Sequence, residues 1–146
     1  MRPENPTPPS ETPDANEASD PRGGPRRGAF DHHRLDAFVV ARQALVEGDA
    51  LGRRLPRGYS TLADQLRRAL LSAYLGVAEA ASRTGADRMA RFRCARGEAA
   101  EAAAALEAAA LLGLVLAEDA ERVMTLLSRL CAMLTRLAGV AGVRRA

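Results

Sequence analysis

From Leu35 onward, hydrophobic positions recur three and four residues apart, the spacing of amphipathic helices. Four helices are predicted. The first runs from about Arg34 to Leu51, with Leu35, Phe38, Val39, Arg42, Leu45 and Val46 on one face. Gly52 and the turn Leu55-Pro56-Arg57-Gly58 end it. The second starts at an N-cap, Ser60 or Thr61, with Tyr59 as a hydrophobic staple, and continues to about Ala81. Its main stripe is Leu62, Leu66, Ala69, Leu70, Ala73, Val77 and Ala80. The third, about Ala86 to Leu112, begins near Thr84 and Gly85 and stops at Gly113. Phe92, Ala95, Ala99, Ala102, Leu106, Ala109 and Ala110 share one side of it. The fourth runs from about Glu118 to Ala138, with acidic residues at its positive end. Val123, Leu126, Leu130, Met133, Leu137 and Val140 form its seam. Short connections between long helices favour an antiparallel up-down-up-down four-helix bundle.

The second helix carries a further apolar stripe. At about 100° per residue, Leu71, Leu75 and Ala78 project almost opposite its main stripe. Arg67 and Arg68 flank them, and Gln65, Ser72 and Glu79 form a polar line beside them. One stripe fills the chain's own core. The other fits a protein–protein contact, and these three residues are the expected oligomer interface. Association through different patches closes into a ring.

Composition trims the folded part to residues 30–140. Seven of the eight prolines lie before residue 26, where almost no large apolar residue follows Met1. Such a segment cannot offset its ordering entropy, so residues 1–29 are expected to be a disordered tail. Residues 141–146 are expected to be a flexible C-terminus. Abundant Ala and Leu with few β-branched residues indicate an all-α fold. The longest apolar run, Ala102 to Ala117, is interrupted by Glu107 and falls short of a membrane span. There is no apolar signal segment at the N-terminus, and the tail is too acidic for a transit peptide. A cytoplasmic location is expected.

Every basic side chain is arginine. Residues 30–97 hold 12 Arg against 7 Asp and Glu, whereas the flanking segments are each one unit negative. Arg67, Arg68, Arg83, Arg88, Arg91, Arg93 and Arg96 concentrate that excess and are the candidate nucleic-acid contacts. Against that, Asp64, Glu79, Asp87, Glu98 and Glu101 are available to pair with them. Cys94 and Cys131 lack CxxC spacing and read as reduced core cysteines. His32 and His33 read as surface histidines at the edge of the tail. No Ser-His-Asp, Cys-His, P-loop, dinucleotide or Glu-x-x-His pattern occurs, so no catalytic residue, metal site or cofactor is expected.

From Phe30 to Leu137 the chain resembles a bacterial family of four-helix-bundle proteins named for 23S rRNA intervening sequences. The matching residues are Leu35-Asp36-Ala37-Phe38, Gly58-Tyr59, Gln65-Leu66-Arg67-Arg68-Ala69, Ser72, Ala78-Glu79 and Arg83. They continue through Phe92, Ala95-Arg96-Gly97, Glu101, Leu106, Ala109, Leu112-Gly113 and Met133-Leu134. Tyr74, Gly76, Ala80 and Glu98 depart from the family's usual residues. The resemblance implies a homopentamer of bundles with no enzyme activity. A related group, the accessory proteins of diversity-generating retroelements, implies a basic barrel that binds nucleic acid and a reverse transcriptase.

Two functions follow as expectations. One is a homo-oligomer, pentameric by resemblance, that binds RNA or DNA through its arginines. The other is an interaction scaffold or accessory subunit for a protein partner, with no direct nucleic-acid contact.

Overall fold

A computed structural model describes residues 29–139, so the expectations for the tail, for Val140 and for the C-terminus lie outside the described residues. Four helices, α1 (Asp36–Arg53), α2 (Ser60–Ala81), α3 (Gly85–Leu111) and α4 (Ala117–Leu137), form an all-α antiparallel bundle. Each helix packs on the next and α4 returns to α1, while the diagonal pairs do not approach. That is the up-down-up-down arrangement. No helix among the described residues is long and apolar enough to cross a membrane.

The helix ends explain the connections. At the end of α3, Gly113 takes φ +70°, where its N–H reaches the Ala110 carbonyl and the Leu114 N–H reaches Ala109 at 2.9 Å. This left-handed cap satisfies carbonyls the helix would leave open. The start of α2 departs from expectation. No side-chain cap from Ser60 or Thr61 forms; a short 3-10 turn, Arg57–Tyr59, leads directly into the helix instead. Thr84 stands at the cap position of α3, also without a side-chain bond.

The core lies along the central seam and contains no buried polar or charged side chain among the described residues. On α2, α3 and α4 it follows the predicted stripes, with Leu62, Ala110, Met133 and Leu137 only partly covered. The face of α1 is corrected. Ala37, Phe38, Val40, Ala41, Ala44, Gly48 and Leu51 point inward, while Val39 and Val46 face outward. Small residues decide this, because α1 approaches α2 too closely for larger ones. A Cβ on Gly48 would lie 2.5 Å from Leu70 Cδ1, and one on Gly52 would lie 2.9 Å from Arg67 Cγ.

Two further expectations are corrected. Cys94 is exposed rather than in the core, one position away from the buried Ala95. Cys131 is half-buried; its S–H points to the Arg96 carbonyl at 3.8 Å and burial pushes the thiol pKa up. His32 and His33 are also half-buried rather than on the surface, because a 3-10 turn at Asp31–Arg34 folds them onto the bundle. Their rings lie 4.5 and 5.8 Å from that of Phe38, which in turn lies 4.9 Å from Tyr74.

Desolvation first, then the neighbouring His33, hold His32 below the usual histidine range, against an opposing pull from Asp31. The fold therefore favours neutral His32. Its contribution to stability is present above the ordinary histidine value of 6.5 and is lost as pH falls below it. Melting temperature should fall between pH 6.5 and 5 in the natural sequence and fall less in His32→Gln. An equal fall in both would remove His32 as the cause. Asp49 and Glu79 are both held below the ordinary carboxylate range, so their ionisation changes little in this window.

Candidate nucleic-acid and subunit surface

The outward side of α2 carries Leu71 and Leu75 at 47% and 53% exposure, with Ala78 half-buried beside them. The two leucines lie opposite the helix's buried residues, which include Leu66, Leu70, Ala73 and Val77, whereas Ala78 packs partly against the core. On the neighbouring α1, Val39 and Val46 also face out, Val46 at 64%. Two adjacent helices thus present large apolar side chains to solvent. The sequence pattern does not reveal these valines as exposed, because it places them on the same stripe as Phe38.

The seven arginines divide into two groups. Four are engaged within the chain. Arg67 donates to Asp49 at 2.7 Å, and Asp49 also receives Arg53 at 2.7 Å across one turn of α1. These two guanidiniums hold the Asp49 carboxyl below the usual carboxylate range, Arg67 contributing most. Arg83 pairs with Glu79 and with Asp87, the latter at 2.9 Å. Arg91 pairs with Glu79 at 2.6 Å and with Glu98 at 3.6 Å. The Arg91 hydrogen bond is the main cause of the depressed Glu79 carboxyl. Here two guanidiniums face three carboxylates, so this part of the α2–α3 seam offers no spare positive charge. Arg88 does different work: it donates to the Ala81 carbonyl at 3.0 Å and lies over the Phe92 ring at 5.0 Å. It satisfies the C-terminal end of α2, where a cation is favourable.

Arg68, Arg93 and Arg96 form the second group. They are exposed and take no ion pair among the described residues. Of the expected acidic partners, Glu79, Asp87 and Glu98 are used, and Asp49 is one the sequence reading missed. It lies 18 residues before Arg67, beyond any local spacing rule. Among the described residues, no group of three His, Cys, Asp or Glu side chains is placed to hold a metal ion.

Gly76 explains how Arg91 sits so close to α2. A Cβ there would lie 2.9 Å from Arg91 Nη2. Gly76→Ala should displace that guanidinium, losing part-exposed ion pairs of about 0.2–1 kcal/mol each. Alanine returns about 1 kcal/mol of helix propensity. The two effects nearly cancel, so urea unfolding should show a change under about 1 kcal/mol. A larger loss would mean that the Glu79–Arg91–Glu98 cluster is worth more than a surface network.

Residues 36–136 match the family described as 23S rRNA-intervening sequence protein. The chain belongs to that family. The match spans all four helices except the last residue of α4, in agreement with the resemblance seen in the sequence. No curated protein matches the chain.

Proposed function

We propose that this family member is a non-enzymatic homo-oligomer of four-helix bundles, a pentameric ring, that binds the phosphate backbone of RNA or DNA. The exposed Leu71 and Leu75 on α2 carry the proposal. A lone chain gains nothing from large apolar side chains on adjacent outward faces, whereas an interface removes them from water. Arg68, Arg93 and Arg96 take no ion pair among the described residues and are repeated in every subunit. Repetition converts a modest patch into avidity for a polyanion. Two free thiols suit a reducing, cytoplasmic setting.

Light scattering coupled to size exclusion tests the assembly; a monomer at micromolar concentration would overturn it. Fluorescence anisotropy with RNA at two salt concentrations tests the ligand. Binding at low salt should weaken at high salt, and Arg93→Glu with Arg96→Glu should weaken it further. No binding at low salt would leave a protein scaffold, which would serve a partner such as a polymerase or a toxin-like enzyme encoded nearby. One observation favours that second function: four of the seven arginines are already occupied within the chain.

A further inference from the structure

We infer that the leucines of α2 in one copy pack against the outward face of α3 in the next copy, with Gly97 at the contact. This rests on the oligomer proposed above and adds which two faces meet.

Gly97 is the starting point. It lies in the interior of α3, is exposed, and a Cβ built on it meets nothing within 4 Å. The helical glycines Gly48, Gly52 and Gly76 behave differently, since a neighbouring side chain occupies the space at each. Glycine weakens a helix interior, and nothing in the chain's own packing requires it at position 97. Close approach by another backbone is a circumstance in which glycine is useful. Ala90, Ala100 and Ala104 are exposed on the same side, with Arg93 the one long side chain between Ala90 and Gly97. With alanine on its inner side too, α3 carries small residues on both sides, interleaved outside with the exposed Arg93, Arg96 and Glu101.

The levels agree. Ala81 ends α2 and Gly85 begins α3 at the same end of the bundle. At about 1.5 Å per residue, Leu75 and Leu71 stand roughly 9 and 15 Å from that end, and Ala90 and Gly97 roughly 8 and 18 Å. Rotation about an axis parallel to the bundle preserves these heights, so the leucines of one copy meet the small residues of the next. The α2 and α3 of neighbouring copies then run antiparallel, as they do within one chain. Charge also matches: Arg68 and Glu101 stand roughly 20 and 24 Å up and are each exposed without an ion pair among the described residues. Across the contact they pair, which assigns Arg68 to the subunit interface; Arg93 stands roughly 12 Å up on the same stripe, between Ala90 and Gly97, so Arg96 is the arginine left for the polyanion. Because the two faces differ, the contact is heterologous, and it closes as a ring where the rotation between copies divides a full turn.

Cysteine cross-linking tests this in the full chain carrying Cys94→Ser and Cys131→Ala. Leu75→Cys with Ala90→Cys should give a ladder of disulfide-linked oligomers, and neither single variant should. Self-linking by Leu75→Cys alone would overturn the inference in favour of a symmetric contact. An assembled double variant that forms no cross-link would overturn it while leaving the oligomer intact. A natural sequence that is monomeric would remove both. Gly97→Leu gives an independent readout, because the isolated chain has room for the side chain. It should shift the assembly to monomer with helix content by circular dichroism unchanged, and a variant that assembles normally would count against the contact.

Discussion

Phe92→Ala should lower the unfolding free energy by about 3–5 kcal/mol, measured by urea unfolding followed by far-ultraviolet circular dichroism. Phe92 is 0% exposed and is the largest of the fully buried side chains. Ala95 and Ala99 are buried on the same face of α3. Alanines have no rotamers with which to fill a void, so the site cannot collapse and the loss belongs in the upper part of that range. The Arg88 guanidinium over the ring loses its aromatic partner as well, a further effect of about 0.5–1 kcal/mol. Domains of this size are stable by only about 5–15 kcal/mol, so the variant should be close to unfolding at physiological temperature. A loss below about 1.5 kcal/mol would show that the bundle repacks and that α3 is not rigidly seated.

The second large effect concerns assembly rather than folding. Leu71→Glu with Leu75→Glu should convert the proposed oligomer to a monomer while leaving the monomer's fold nearly unchanged. Both side chains are half exposed in the single chain, and surface substitutions usually change stability by about 0.5 kcal/mol or less. At an interface the same carboxylates would be buried without partners. Each then costs at least about 2 kcal/mol, and the pair weakens association by about a thousandfold or more. Light scattering reads the first effect and thermal melting the second. A variant that melts early and stays assembled would place these leucines in the core, against their observed exposure.

Helix number, approximate limits and most of the core were legible in the sequence. The large apolar residues of α2, α3 and α4 recur at helical spacing with little competition from other patterns. Reading α1 by size failed, because Val39 and Val46 outrank Ala41, Ala44 and Gly48 in hydrophobicity yet lose the interior to them. What decides there is the distance between two backbones, which no single-helix pattern contains. The same limit applied to the arginines. Neighbours such as Glu79 and Arg83 share a helix and could be anticipated, whereas Asp49 reaches Arg67 only because α1 and α2 lie side by side. The histidines were misplaced for a related reason: a 3-10 turn brings them back onto Phe38.

The sequence by itself determined an all-helical bundle with an apolar core and a helix that is apolar on two sides, since periodicity and composition are local properties of the chain. Only the tertiary structure decided which apolar residues face out, which arginines take no ion pair among the described residues and that Gly97 borders open space. Each of those depends on how closely neighbouring helices approach, and that distance is set by side chains far apart in the chain.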